Sequence, residues 1–294
     1  MTTKLRGNLR ALGRGARMIG LAVLLTATLP RAAHTQRTPS DSQAQQPAAA
    51  AYPARVLDRP TTLPRGDTRL DAFALATRAP GSPTTVTIVL GGGVGLSDRL
   101  EMGGQMLPFE VESGMVFTNP SFYATYAFPV SKTAAIAPTI QLVYPLQSAD
   151  PFIIDIGGTV YVNIGTWGYL AFAPMFSLNT RGDESGSSLS FPLTIMHQAS
   201  EQLSFQVTSG VGLSRFDPRF GLSRRSEALD FDEVTVPAAA LVTYTVVRGS
   251  QRRALADLIL QFQWPQLYTR APGMRGTHLD DWAVQIQSSW YFIH

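Results

Sequence analysis

From Thr68 to His294 apolar and polar residues alternate, and a period of two is the mark of β-strands. Twelve segments carry it, at approximately 68–79, 84–96, 100–109, 122–130, 134–146, 152–165, 169–180, 187–200, 203–216, 233–247, 253–269 and 279–294. None of them sustains the apolar i, i+3, i+4, i+7 stripe of a helix. In the sixth, Phe152, Ile154, Ile156, Val160, Val162 and Ile164 share a face, opposite Asp155, Gly157, Thr159, Tyr161 and Asn163. In the ninth, Leu203, Phe205, Val207, Val211 and Leu213 oppose Ser204, Gln206, Thr208, Gly210 and Gly212. The eleventh sets Leu258, Leu260, Phe262 and Trp264 against Asp257, Gln261 and Gln263. The last sets Trp282, Val284, Ile286, Trp290 and Phe292 against Gln285, Gln287 and Ser289. Both faces of the tenth, Glu233 to Val247, are apolar, and alternation leaves its inner side open.

Alternation fits a soluble β-sandwich as well as a membrane barrel. Four features favour the barrel. Most segments have 10 residues or more, whereas soluble strands have ~5–6 and a tilted membrane strand needs ~9–11. The odd-numbered connections average roughly 9 residues and the even-numbered roughly 3, the long-loop and short-turn rims of an outer-membrane barrel. The polar faces carry Gln, Ser, Thr, Asn, Tyr and Gly and no Lys, which suits a lumen better than a water-facing sheet. Trp290 and Phe292 end the chain on an apolar face, and Trp264, Tyr268 and Trp282 fall near strand ends, where interfacial aromatic belts sit. The expected fold is therefore all-β: a closed antiparallel transmembrane β-barrel of about 12 strands. An even count places both termini on the short-turn, periplasmic side. Pairing of the first strand with the last leaves no backbone edge in lipid.

The segment before the barrel changes the charge balance. Residues 1–36 read as a signal peptide: six basic residues, no acid, and an apolar run from Met18 to Leu29 too short to span a bilayer. Residues 37–67 are rich in Pro, Ala, Gln, Ser and Thr and read as a flexible periplasmic linker. Seven of the 24 basic residues lie within the first 37, so the 17 that follow face all 21 acids, and the mature chain is near −4. A basic nucleic-acid footprint is thereby excluded. The absence of cysteine excludes disulfides, thiolate metal sites, a Cys nucleophile and an N-terminal lipid anchor on Cys.

The turn Gly95-Leu96-Ser97-Asp98-Arg99-Leu100-Glu101-Met102-Gly103 resembles a hairpin frequent in bacterial outer-membrane barrels. In particular it resembles the transporter-like family named for the MetA pathway of phenol degradation. Pro129-Val130-Ser131-Lys132-Thr133 and Ser200-Glu201-Gln202-Leu203 are similar turns, and Asp280-Asp281-Trp282 through Phe292 resembles a closing strand. The terminal aromatic of the assembly signal is replaced by His294, with Phe292 two places in. The resemblance implies an outer-membrane location and transport of small molecules, hydrophobic ones included.

Other motifs lose to geometry. Gly91-Gly92-Gly93-Val94-Gly95 is not followed by the helix a phosphate loop requires. Gly91, Gly93 and Gly95 instead form a small-residue stripe where other groups can enter the lumen. Outer-membrane lipid esterases resemble this chain in architecture, but their His and Ser stand two apart on one outward face. His197 and Ser200 stand three apart, on opposite faces, and cannot share a proton. The longest loop, Asp217 to Asp232, is a mixed-charge segment that can solvate or fold inward; Asp230, Asp232 and Glu233 lack the glycine turn and ligand spacing of a calcium loop.

The reading is an outer-membrane channel or transporter for small molecules, exported through the periplasm, without catalytic residues or cofactor. The lumen-lining candidates are Gln141, Asp155, Tyr161, Asn163, Gln206, Asp257, Gln261, Gln263, Gln285 and Gln287. Asp155, Asp257 and Glu101 would favour cations in an open lumen. The expected partners are outer-membrane lipid, a small-molecule solute, and the assembly machinery acting through the C-terminal strand. A non-conducting barrel with a plugged lumen is the alternative, and a dense interior polar network is what would favour it. A soluble secreted β-sandwich is the third reading.

Overall fold

The structure is a computed structural model that describes residues 52–79, 81–111, 115–117, 119–146, 151–180, 187–216, 233–248, 253–271 and 274–292. The expected signal peptide, linker residues 37–51, the Asp217–Asp232 loop and His294 lie outside the described residues.

The strands are β1 Thr68–Arg78, β2 Thr85–Ser97, β3 Leu100–Val111, β4 Met115–Phe117, β5 Ser121–Tyr126, β6 Phe128–Pro129, β7 Ala134–Val143, β8 Ile153–Ile164, β9 Gly168–Phe172, β10 Met175–Asn179, β11 Ser187–Gln198, β12 Leu203–Phe216, β13 Glu233–Arg248, β14 Arg253–Ala271, β15 Met274–Thr277 and β16 Trp282–Phe292. β4 to β6 form one stave, as do β9 with β10 and β15 with β16, so the wall has twelve. Every stave pairs antiparallel with its neighbours, and β1 closes on β16 from Thr68↔Phe292 to Arg78↔Trp282. The barrel is closed, as alternation and an even strand count predict.

Side chains sort as the period-two pattern requires. Phe205 is 42% exposed and Leu260 53%, on the outer face. Their neighbours Gln206 and Asp257 are buried inside. The tenth stave, β13, resolves its ambiguity by turning Thr235, Ala239, Thr243 and Thr245 inward and Tyr244 outward. His197 stands on the exposed face, beside Trp167, away from the lumen.

Proline sets the break in the seventh stave. Pro174 has no N–H to give the ladder, so pairing bridges it through Ala173 N–H to the Pro192 carbonyl (3.0 Å) and Gly158 N–H to the Pro174 carbonyl (3.2 Å). Serine shapes three of the short turns. The Ser97 hydroxyl accepts from the amides of Arg99 and Leu100, Ser131 from Thr133, and Ser200 from Gln202 and Leu203.

Two stretches differ from the sequence pattern. β14 runs on to Ala271 and pairs with β15, so the eleventh connection is largely strand, and Trp264 stands well inside its stave rather than at an end. The chain from Tyr52 to Asp67 is not extended in solvent. Tyr52, Val56, Leu57, Arg59, Thr62 and Leu63 are all buried, and the segment lies inside the barrel.

Candidate functional site: a strap across the short-turn end of the lumen

Pro53, Pro60 and Pro64 fix φ at three points of the strap, Tyr52–Asp67, and remove three amides that would otherwise need partners. Its single helical feature is a 3-10 turn, Val56–Asp58. Its partners Ala137, Tyr169, Gln198, Glu101, Ala254, Asp257 and Tyr291 lie toward the short-turn rim. Val56 and Leu57 pack on Ala137, Tyr161, Tyr169, Ala171 and Met196. Tyr52 and Leu63 pack with Ala254 and Tyr291. Burying an aliphatic side chain of this size contributes about 1.5–3 kcal/mol.

Backbone groups are satisfied along the way. Ala254 N–H donates to the Tyr52 carbonyl at 3.0 Å, Leu57 N–H to Gln198 Oε1 at 3.3 Å, and Leu63 N–H to Glu101 Oε2 at 3.0 Å. Gly66 and Asp67 continue as a short ladder against Gly95: Gly66 N–H to the Gly95 carbonyl at 2.8 Å, and Gly95 N–H to the Asp67 carbonyl at 2.9 Å. A Cβ on Gly95 would overlap the carbonyl oxygens of Leu63 and Pro64. A Cβ on Gly93 would reach the Tyr123 hydroxyl at 2.7 Å and Glu101 Oε1 at 2.9 Å. The glycine stripe makes room for the strap and for Tyr123.

Arg59 is the strap's anchor and is 0% exposed. Its guanidinium forks onto Asp257, NH1 to Oδ2 at 2.5 Å and NH2 to Oδ1 at 2.9 Å. NH2 also donates to Thr245 Oγ1 at 2.8 Å, while NH2 and Nε donate to the strap's own Ala54 and Pro53 carbonyls. The guanidinium carbon lies 5.3 Å and 5.5 Å from the ring centres of Tyr52 and Tyr291, which stack on each other at 4.6 Å. Burial alone would lower the Arg59 pKa, but the Asp257 carboxylate more than offsets it and holds the guanidinium above its ordinary value. Burial pushes the Tyr52 phenol up. Both groups keep their pH 7 charge states.

A second buried cluster adjoins the strap. Arg69 Nε donates to Asp71 at 3.1 Å, and its NH2 lies 3.3 Å from Glu101 Oε1 and 3.0 Å from the Tyr123 hydroxyl, which donates to Glu101 at 2.6 Å. Ser289 donates to Asp71 at 2.7 Å, Gln287 to Ser289 at 2.9 Å, and Gln285 to Gln287 at 2.8 Å. The chain of donors climbs the inner face of β16.

All ten lumen candidates stand on the inner face. Asp155, Tyr161, Gln206, Asp257, Gln263 and Gln285 are buried, and Gln141, Asn163, Gln261 and Gln287 half-buried. Gln261 donates to Gln263 at 3.3 Å, and the Tyr169 hydroxyl reaches Gln206 at 3.5 Å, beneath Tyr161. Asp257 is not a free acid, because Arg59 takes both of its oxygens. Glu101 shares Arg69 with Asp71. Asp155, near the long-loop end of β8, differs: it is fully buried and has no cationic partner among the described residues, only the hydroxyl of Ser177 opposite it on β10. Arg59, Arg69, Asp71, Tyr123, Thr245 and Tyr291 are the residues that pattern reasoning missed. Arg69 and Asp71 carry a readable signal, opposite charges two apart on one strand face.

A closed twelve-stave barrel with an apolar outer belt and a polar, strapped lumen is the fold of an outer-membrane β-barrel. The fold is similar to that of an outer membrane channel from Pseudomonas putida F1: TM-score 0.55 at 13% identity, covering 87% of this chain and 100% of the other. It is also similar to the NanC porin, with TM-score 0.52 at 8% identity, covering 75% of this chain and 98% of the porin. No protein-family model and no curated protein sequence matches the chain.

Proposed function

We propose that the protein is an outer-membrane channel for small molecules whose resting state is closed at the short-turn end by the strap Tyr52–Asp67. The observation that carries this reading is a lumen lined by buried Gln, Ser, Thr and Asp side chains and crossed at one end by a segment held mainly through side chains. In this reading the inner-face glutamines and Asp155 line the path of the solute. Paired charges at the strap leave Asp155 as the acid that sets a preference for cations. The fold's resemblance to a channel and a porin supports the class of function, and no residue takes a catalytic role. Outer-membrane lipid surrounds the apolar belt, and the assembly machinery engages the chain through β16.

The test is planar-bilayer conductance of the refolded mature chain beside its Gly95→Ala variant, whose added methyl contests the strap's seat. Brief or small openings in the first and larger, longer ones in the second are expected. Silence from both overturns the channel reading in favour of a ligand-binding barrel. The fully satisfied Arg59 anchor is the observation that favours that second reading.

A further inference from the structure

The seat of Arg59 is built by the barrel before the strap is counted. Thr245 Oγ1 donates to Asp257 Oδ1 at 2.8 Å, and the Tyr291 hydroxyl donates to Asp257 Oδ2 at 2.7 Å. Three staves, β13, β14 and β16, thus fix one carboxylate with both oxygens presented and a hydroxyl oxygen alongside. The barrel's acceptors are four in number: two carboxylate oxygens that take a planar fork, Thr245 Oγ1 beside the same NH2 nitrogen, and the Tyr291 hydroxyl 3.5 Å from NH1. The Tyr291 ring supplies a π-face 5.5 Å from the cation. A guanidinium fills such an arrangement; an ammonium, a point charge, satisfies it only in part. Groups held by their own hydrogen bonds lose little order when a ligand arrives.

We propose that Asp257, Thr245 and Tyr291 form a binding site for guanidinium-class cations, in which Arg59 is the resident, covalently tethered ligand and a free alkylguanidinium is a competitor. A solute that carries this group and reaches the short-turn end displaces Arg59 and frees the strap. Binding at the site does not depend on conduction; release of the strap changes a current only in a barrel that conducts.

The test uses the full mature chain with Arg59→Ala, refolded in detergent, and methylguanidinium as the probe. Ligand that binds the folded state alone raises the unfolding temperature with concentration. The expected result is a saturable rise in Tm for Arg59→Ala at millimolar methylguanidinium. The wild type should show a rise at least several-fold smaller, and the Arg59→Ala, Asp257→Asn double variant none. Tetramethylammonium chloride at equal ionic strength should have no effect. A rise of equal size in the double variant, no rise in the single one, or equal stabilisation by methylammonium overturns the site. If Arg59→Ala refolds poorly, the refolded yield becomes the readout: recovery with methylguanidinium is expected, and its absence overturns the proposal. A barrel that binds methylguanidinium yet never conducts in either protein keeps the site and removes the channel reading.

Discussion

The two ends of the lumen solve the same electrostatic problem in opposite ways. At the short-turn end, Arg59 faces Asp257, and Arg69 faces Asp71 and Glu101, each contact within 3.5 Å and all five side chains buried. At the long-loop end, Asp155 is equally buried with no cation beside it among the described residues, only the Ser177 hydroxyl. A buried charge without a partner costs several kcal/mol unless water or a ligand supplies what the protein does not. One end is therefore neutralised by the chain's own cations, and the other holds a buried acid without one among the described residues.

The comparison breaks most visibly at Asp257. Asp257→Ala leaves Arg59 buried without its counter-charge and should destabilise the barrel by about 3–5 kcal/mol, read from urea unfolding in liposomes. Asp155→Asn should leave stability unchanged or higher and instead shift the reversal potential toward lower cation preference. Equal losses at the two positions would erase the difference between the ends. Next in size, Leu260→Arg puts a charge on the outer face near the middle of β14 and should cost about 2–4 kcal/mol in the bilayer. Gln261→Arg, one residue along and facing the lumen, should cost visibly less; equal tolerance would invert the assignment of faces. Gly95→Ala should cost about 1–3 kcal/mol, because the new methyl meets the Leu63 and Pro64 carbonyls, and the loss should vanish when Tyr52–Asp67 is deleted.

The smallest expected effect lies at the corner before β16. Burial pushes the Asp281 carboxyl up to about 6, with His278 pulling it down and Asp280 adding to the rise. A folded-state pKa above the ordinary 3.8 means that the folded corner binds the proton more tightly than the unfolded chain. Its stabilising contribution is complete below about pH 4 and is lost as pH rises through about 6. The carboxyl is partly solvated, so a carboxyl-carbon NMR titration is the sensitive measurement, and a midpoint near 4 would contradict the burial.

The staves were legible because each one answers a local question. Alternation in Leu203–Leu213 or Leu258–Trp264 is decided by which face meets lipid, and no distant partner is needed to read it. β13 was illegible for the complementary reason: alanines and valines on both sides gave no contrast until its neighbours fixed an inner face. The strap reads as linker because its composition is that of one. Its burial depends on residues such as Asp257, 198 positions away, and a single guanidinium among prolines carries no period. The buried Val56, Leu57 and Leu63 were the available hint, apolar residues with no role in a solvated tether. Asp257 lies on the inner face, and its pairing with Arg59 carries no signal in the local sequence.

One consequence lies in the wall's joint. Eleven of the twelve contacts between neighbouring staves are backed by a connecting stretch of chain; β1 against β16 is held by its ladder and the Ser289–Asp71 hydrogen bond. The strap leaves the start of β1, crosses the β16 side chain Tyr291, and fastens to Asp257 on β14 and Thr245 on β13. It is a stitch across the one unsewn seam. Mechanical load that peels the first stave from the last works against Arg59 in its seat as well as against the ladder, so a segment that belongs to no stave adds to the barrel's resistance to unzipping.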